Sequence, residues 1–578
     1  MGHVPYVVLA PAPGGPGGGW DLVDVDDEGT TGARARVAAS GLAAAVAARE
    51  AREDRDRPRW VWDRTALRYP PLLAAGVRVE RCHDLALADA VLRASTRCTP
   101  PPHDGAILPA ATPPATMAPA DAAPTLFDAV ATEDPGPGVA PAPGDGPGAD
   151  ALVAALRHQL AALATDAEPG RLRLLLAAES SGALVAAEME HDGLPWDVAE
   201  HDRLLTGLLG PRPPTGRRPA GLEALADEVR EALSQPALNP DSQPELLAAL
   251  RRAGCPVAST SRWEVRRLEH PVREPLLAYK KLSRLLGANG WAWMDRWVRE
   301  GRFRAGYVVA GVVSGRWATS GGGALQLPKE VRGAVRADPG WRLVVADAAQ
   351  LEPRVLAAMS GDRAMAAAGR HRDLYQGVVD AGTVATRDEA KYAMLGAIYG
   401  ATSGAGGALM PRLTRAYPQA VALVEDAARA GERGEVVTTW LGRSSPPPGP
   451  RWRDEVAAAT DEGSSADEVR AARRRARDQG RFTRNFVVQG TAAEWALCWL
   501  ASLRRRLRAL PVDGPGRAPH LVFFLHDEVL VHTPAPLADA VADAVRAAAD
   551  EAGRLLFGAV GVEFALDVAV VGSYDEAP

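Results

Sequence analysis

Lysine is nearly missing from this chain of 578 residues, with four (Lys280, Lys281, Lys329 and Lys391) among 66 basic residues. Arginine therefore carries almost all the positive charge. A lysine kept against that background invites a chemical reason, Lys391 above all. Cysteine is scarce as well: Cys82, Cys98, Cys255 and Cys498 lie far apart with no CxxC pair. That excludes a disulfide framework, gives no sign of structural zinc and suits a reducing compartment. No apolar run reaches the roughly 18 residues of a membrane span, and the N-terminus has no basic segment leading into an apolar stretch. A soluble, intracellular protein with no membrane partner is expected. An excess of positive charge is missing too, the formal net charge being −6. By itself this speaks against a polyanionic partner, but only one cleft need be positive to hold such a partner.

What is abundant is proline and glycine, 47 and 57 residues, and they cluster. Residues 99–149 are dominated by Pro, Ala, Gly, Thr and Asp. Such a stretch buries too little apolar surface to offset chain entropy, so it reads as a disordered insertion or linker. Before it, Tyr6–Ala10 and Leu22–Val25 read as strands and Gly41–Arg49 as a helix. After it, apolar residues recur at spacings of three and four through Leu152, Leu156, Leu160 and Leu163, and again around Leu246–Leu250. Asn239-Pro240 reads as a turn feeding a capped helix. The last 270 or so residues mix helices with three strand signals, WRLVVA, HLVFFL and VLVHT. A chain of this length is expected to hold two to four domains.

Chemistry concentrates in three places. The apolar run Leu343–Ala346 ends on Asp347, where a carboxylate is placed to hold a divalent cation or, alternatively, to cap the next helix. Arg387, Lys391, Leu395 and Tyr399 recur every four residues and so form one drifting stripe on a helix. Two cations and an aromatic on one face suit a triphosphate and a stacked base. Lysine can also donate a proton that arginine holds too firmly. The plainer alternative is an exposed face whose charge is balanced by Glu389. Third, two strand runs flank His526-Asp527-Glu528, which reads as a hairpin with carboxylates at its tip. Acidic tips are ordinary, but a strand-borne Asp347 180 residues earlier makes this one notable. Two such carboxylates brought together could clamp two Mg²⁺ ions about 4 Å apart, as in-line phosphoryl transfer requires.

In order and content these segments resemble family A DNA polymerases. Asp347, Gln350, Glu352 and Arg354 match the family's palm strand motif; Arg387, Lys391, Tyr399 and Gly400 match its fingers helix; His526, Asp527 and Glu528 match its hairpin. Ser314-Gly315-Arg316 and Gln326-Leu327-Pro328 resemble the segments that touch the primer–template minor groove, and Arg481, Asn485 and Gln489-Gly490 the later DNA-facing helix. The resemblance implies an α+β multidomain right hand, with thumb about 180–290, palm about 300–361 and 480–578, and fingers about 362–440. It implies Asp347, Asp527 and Lys391 as catalytic, the two aspartates holding two Mg²⁺ ions with Mn²⁺ as a substitute. Gln350, Glu352, Arg387, Lys391, Leu395, Tyr399 and His526 would contact the dNTP. Arg316, Gln326, Arg481, Asn485, Gln489 and Glu528 would contact DNA. A cytoplasmic, nucleoid-associated monomer acting on primer–template DNA in repair or gap filling is expected. The chain departs from the pattern at Ala348 and Ala349, where the family has an aromatic and a serine, and at Leu395, where it has an aromatic. The fingers also look short.

The likeness to the polymerase domain runs from about residue 150 to the end. Residues 1–98 resemble, more loosely, an α/β RNase H-like 3′–5′ exonuclease domain, through Asp63 and through Cys82-His83-Asp84-Leu85. Its opening Asp-x-Glu has no clear counterpart, since Asp26 and Glu28 sit in a run that reads as a turn. Its later Tyr-x3-Asp is also missing, with Gly146 where the tyrosine would stand before Asp150. A degenerate domain retaining Asp63 and Asp84 as vestiges is expected. The alternatives are a polymerase with an active proofreading nuclease and a non-catalytic DNA-binding scaffold. A single-subunit RNA polymerase is disfavoured by Glu352, which the resemblance assigns to exclusion of ribonucleotides.

Overall fold

The computed structural model describes all residues except 1–5, 14–17, 54–56, 103–145, 215, 321–322, 324–326, 371–372, 401–403, 460–463, 513 and 515–517. Most of the stretch read as a linker therefore lies outside the described residues. The chain forms two compact units. The first comprises residues 1–192, 306–321 and 344–570, the second 193–305, 322–343 and 571–578.

The first unit begins with a mixed sheet of β1 (Tyr6–Pro11), β2 (Trp20–Val25), β3 (Thr31–Val37), β4 (Arg59–Trp62) and β5 (Arg81–Asp84), in the order β3-β2-β1-β4-β5. β1 pairs antiparallel with β2 and parallel with β4. Its run VVLA is apolar without alternation because both faces are covered. Val7 and Leu9 pack with α1 (Leu42–Glu50), while Val8 and Ala10 pack with Leu85, which opens α2 (Leu85–Ala94), and with α3 (Ala149–Ala164). The boundary expected near residue 150 is thus corrected. Leu152, Val153 and Leu156 of α3 cover the N-terminal sheet, because its second face needs more apolar cover than Leu85 and Ala86 of α2 supply.

α4 (Pro169–Asp192) follows. It is apolar on nearly every side because it lies between two cores, with Leu184 and Ala187 toward the N-terminal sheet and Leu175, Val185 and Met189 toward the larger core. The thumb helices expected from residue 180 start later, since α4 belongs to the first unit to its end. The second unit holds helices Val198–Leu209, Ala220–Ala232, Gln243–Arg252 and Arg273–Asn289, the third falling where the spacing around Leu246–Leu250 predicts helix. A cluster of Trp196, His201, Trp293 and Phe303 packs near their base, with ring centroids 4.9 Å apart at the closest.

Besides two small sheets of two and three short strands, the chain forms a four-stranded sheet of β6 (Trp341–Ala348), β7 (His520–Leu525), β8 (Glu528–Pro534) and β9 (Leu566–Val571), ordered β7-β8-β6-β9. The three strand signals are all strands. Around this sheet lie α5 (Leu351–Ser360), α6 (Leu374–Asp380), α7 (Arg387–Tyr399), α8 (Pro418–Glu432), α9 (Ala466–Ala509) and α10 (Ala538–Phe557). One window of α9 is long and apolar enough to cross a membrane, but 83% of it is buried inside the protein. Trp495 and Trp499 are fully buried there, and the Trp499 indole donates to Val545 O of α10 at 3.1 Å. All four cysteines are buried and free.

Two arginines of α9, Arg504 and Arg508, fasten the N-terminal sheet to the rest of the unit, Arg508 through Val79 O at 2.9 Å and Arg504 more extensively. Arg504 donates twice to Glu188 of α4, at 2.8 Å each, and also to Val79 O and Glu80 O beside β5. Tyr69 OH donates to the same carboxylate at 2.5 Å. Burial alone would raise the Glu188 pKa, but the Arg504 charge and hydrogen bonds dominate and hold it at about 2. A depressed carboxylate pKa stabilises the fold above its unfolded value of 4.5, and that contribution is lost as pH falls toward 2. Arg504→Ala is expected to cost about 3–5 kcal/mol, because it leaves a buried carboxylate short of its partner. Urea unfolding at pH 7 reads this cost, and the wild type's loss of stability between pH 4.5 and 2 should shrink in the variant.

Candidate functional site

The site is built at the end of β6. Asp347 is exposed at its penultimate position, and the next residue, Ala348, donates its N–H to Asp527 O at 2.8 Å. Ala349 N–H donates to Ala565 O at 3.0 Å, and Gln350 then takes a left-handed conformation (φ 50) that turns the chain sharply into α5. Gln350, not Asp347, occupies the N-cap position of α5, so the capping alternative for Asp347 fails. The corner is held from inside by Arg354, which is wholly buried. Its guanidinium donates to Ala349 O at 2.8 Å and to Gly369 O and Glu563 O at 2.6 Å each. Gln350 Oε1 accepts from Leu374 N–H at 3.1 Å and from Arg354. The amide oxygen expected to contact a nucleotide is therefore engaged in holding the corner.

Between β7 and β8 the hairpin turns on His526, also left-handed (φ 54), with Asp527 N–H donating to Leu525 O at 2.6 Å. Burial first, then the neighbouring Asp347 charge, pushes the Asp527 carboxyl up to about 7. Two hard oxygen donors that resist carrying both charges without a cation fit a Mg²⁺ or Mn²⁺ site. Burial, followed by Arg316, lowers the His526 imidazole to about 4, and its Nδ1 has no hydrogen-bond partner. The phosphate contact expected of His526 would thus come from a neutral ring, not a cation. Glu528 is buried (9% exposed) at the start of β8, which withdraws it from the DNA-facing role expected of it.

Beside Asp527 opens a cavity of about 260 Å³ lined by Arg316, Gln350, Glu352, Tyr375, Leu395, Tyr399 and His526, among others. Glu352 is its polar hub, accepting from the Tyr399 hydroxyl on one oxygen and paired with the Arg316 guanidinium on the other. The Gln489 side chain also reaches Tyr399. The stripe predicted on α7 is there, but its two halves differ: Leu395 and Tyr399 line the cavity, while Arg387 and Lys391 are exposed. The partner of Arg387 is Asp373, at 2.6 Å, and not Glu389. Glu389 instead accepts from Ala385 N–H at 2.9 Å, while its own N–H donates to the N-cap Thr386. Of the predicted DNA-facing residues, Arg481, Asn485 and Gln489 share one face of α9, with Arg481 paired to Asp478, whereas Gln326 lies outside the described residues.

Sequence reasoning missed Tyr375 and Asp373. The available signal was Asp373-Leu374-Tyr375, an N-cap followed by a short helix. Tyr375 lines the cavity, with the Arg387 guanidinium 5.7 Å above its ring.

Carboxylates in the N-terminal part are committed to structure. Asp63 is gripped by Arg68 at 2.7 and 2.9 Å, and Asp84 caps α2 while accepting from Thr65 N–H at 2.7 Å. A Cβ on Gly146 would lie 2.0 Å from the Arg68 guanidinium, so that arginine fills the space a side chain there would need. Asp26 accepts from Glu28 and Thr30 N–H groups in a turn, and Asp150 pairs with Arg34. β1 carries no carboxylate, and no group of three His, Cys, Asp or Glu arranged to hold a metal occurs among the described residues.

The fold is that of a polymerase domain. A solved structure of the POL domain of Pol1 from M. smegmatis, in complex with DNA primer-template and dNTP, matches with a TM-score of 0.64 at 18% identity, covering 100% of this chain and 96% of that one. The family model for DNA polymerase family A matches residues 222–575, and the chain belongs to that family. It is 26% identical over 315 residues to DNA polymerase I of Chloroflexus aurantiacus, covering 50% of this chain and 31% of that protein. It is 25% identical over 400 residues to the thermostable DNA polymerase I of Thermus aquaticus, covering 60% and 45%. The chain thus spans less than half the length of these curated relatives.

Arg354→Lys should cost about 3 kcal/mol in urea unfolding, since one ammonium cannot replace a planar fork serving three fixed carbonyls.

Proposed function

We propose that this protein extends a DNA primer with dNTPs on a template strand. The observation that carries this reading is the convergence of Asp347 and Asp527, whose strands are joined by the Ala348 N–H bond to Asp527 O, beside a cavity that Asp527 lines with Glu352 and Tyr399. The two aspartates would hold two Mg²⁺ ions, or Mn²⁺ in their place. Bound there, the ions lower the pKa of a primer 3′-hydroxyl and neutralise triphosphate charge.

The chain's own residues supply the rest. Arg387 binds phosphate by exchanging Asp373 for the nucleotide, and its exposure leaves it free to make that exchange. Lys391, one turn further along α7, donates a proton to the departing pyrophosphate. Glu352, oriented by the Tyr399 hydroxyl, serves to crowd a sugar 2′-hydroxyl. Arg316 and Gln489 reach the minor groove, where every base pair presents acceptors at similar positions. They therefore test pairing geometry without reading sequence. Leu395 offers an aliphatic wall in place of an aromatic stack, which favours altered speed or fidelity. The setting that fits is gap filling or repair in the cytoplasm, by a monomer.

Primer extension on a gapped duplex tests this directly. Extension with dNTPs and Mg²⁺ should vanish with EDTA and fall roughly a hundred-fold or more in Asp527→Asn. Glu352→Ala should improve the use of rNTPs relative to dNTPs by about ten-fold. DNA binding with no extension under any of these conditions would favour a scaffold.

The N-terminal part is read as a nuclease fold without a nuclease site, because Arg68 already neutralises Asp63. With a 5′-labelled single strand and Mg²⁺ or Mn²⁺, no shortening is expected in wild type or in Asp63→Ala. Shortening by the wild type that disappears in the variant would restore the proofreading alternative.

A further inference from the structure

Two residues assigned above to the minor groove, Arg316 and Gln489, come from distant parts of the chain, and each has a glycine as neighbour. Gly315 precedes Arg316 and takes a left-handed conformation (φ 88); Gly490 follows Gln489 within α9. In both cases the space a side chain would need is taken by one short loop, Val437–Ser445. A Cβ on Gly490 would meet Thr439 Cγ2 at 2.4 Å and Ser314 O at 3.1 Å. A Cβ on Gly315 would meet Arg443 Nε at 2.7 Å. The loop thus lies directly against the backbone beside both residues, and through Ser314 O the two backbones touch each other.

The loop is itself stiff. Thr439 N–H donates to Arg443 O at 2.9 Å, Ser445 N–H to Val437 O at 2.8 Å, and Arg443 N–H to Thr439 Oγ1 at 2.9 Å. It is also clamped to its surroundings through buried carboxylates. Glu494, one turn beyond Gly490 on α9 and 1% exposed, accepts the Thr439 hydroxyl on one oxygen and Leu441 N–H at 2.9 Å on the other. Trp440 N–H donates to Thr491 Oγ1 at 3.0 Å. The Arg443 guanidinium pairs with Glu179 of α4, likewise 1% exposed. Glu494 accepts on both oxygens, so movement of the loop would leave a buried carboxylate unsatisfied, and the Arg443–Glu179 pair ties the loop to α4 by a second buried charge.

We propose that loop Val437–Ser445 is a positioning element for the primer terminus, with Thr439 and Arg443 holding Gln489 and Arg316 at one fixed separation so that the pair senses base-pair geometry. This rests on the minor-groove reading of those two residues given above. A base pair of the wrong shape displaces its groove acceptors by about an ångström, and a rigid pair of donors loses both contacts where a loose pair would follow. Thr439 is buried and the Arg443 guanidinium is paired with Glu179, so both act through their neighbours.

The experiment compares extension from matched and mismatched primer termini by the full chain, under single-turnover conditions, in wild type, Thr439→Val, Thr439→Ser and Arg316→Ala. Thr439→Val keeps the shape and removes the hydroxyl. It should reduce the matched-to-mismatched ratio by about ten-fold, while Thr439→Ser, which keeps the hydroxyl, stays near wild type. If Thr439→Val does not fold, the double variant Glu179→Gln/Arg443→Gln removes the second clamp without orphaning a charge, and the same loss is expected. A ratio unchanged in the loop variants but reduced in Arg316→Ala overturns the proposal alone. Equal loss in Thr439→Val and Thr439→Ser, tracking their melting temperatures, also overturns it, since a merely structural role would give that result. No change in Arg316→Ala overturns the minor-groove reading, and the proposal with it.

Discussion

The structure depends on holding two like charges side by side. Asp347 ends one strand and Asp527 sits at the tip of a hairpin, and the Ala348 N–H bond to Asp527 O sets their separation. Burial and mutual repulsion push Asp527 up to about 7. Such a pair persists only if the surrounding backbone is over-determined. That condition accounts for the left-handed residues Gln350 and His526 on either side, each a corner that aims a carboxylate. It accounts equally for Arg354, a fully buried guanidinium whose work is to satisfy three carbonyls at one of those corners.

Around this centre the polar groups are arranged in tiers. Glu352 faces the cavity and is oriented by Tyr399 and Arg316, and Gln489 reaches Tyr399 in turn. Behind them stand Glu494 and Glu179, both buried acids that hold a loop and not a ligand. A nucleotide entering the cavity therefore meets groups already paired with one another, and binding must exchange those pairings for new ones. Arg387 is in the same position, since Asp373 occupies its fork. Glu352, Tyr399, Arg316 and Arg387 are each paired within the protein, so the selectivity of the site rests on which ligand can replace these partners without leaving one of them unsatisfied.

Much of this was legible in the sequence because the residues that matter are short-range patterns. A strand ending on Asp347, a four-residue stripe from Arg387 to Tyr399 and a polar turn between apolar runs each declare their element locally, and each element formed where the pattern put it. What stayed hidden was pairing between distant residues. Nothing in the sequence says that Gln350 Oε1 will be consumed by Leu374 N–H, that Arg387 will pair with Asp373 instead of compensating through Glu389, or that Glu528 will be buried. Gly315 and Gly490 are equally silent: their use appears only when Arg443 and Thr439 arrive from more than a hundred residues away, or about fifty, to fill the spaces they leave. The domain boundary near residue 150 failed for the same reason, because a helix does not announce which sheet it will cover.

The N-terminal part then has a reason to be retained that does not involve nuclease chemistry. Its carboxylates are tied up by Arg68 and by a helix cap, and what it contributes to the rest of the unit is packing. Arg504 joins it to α9, the helix that carries Gln489, and Thr96 N–H donates to Ser444 Oγ at 3.0 Å on the outer side of the Val437–Ser445 loop. Arg97 Cδ fills the space beside Gly442 in the same loop. A segment that braces both α9 and this loop supports the backbone beside Arg316 and Gln489, the two residues proposed above to meet the primer terminus. Its loss would therefore be felt at the polymerase site, even if it never cleaves a phosphodiester.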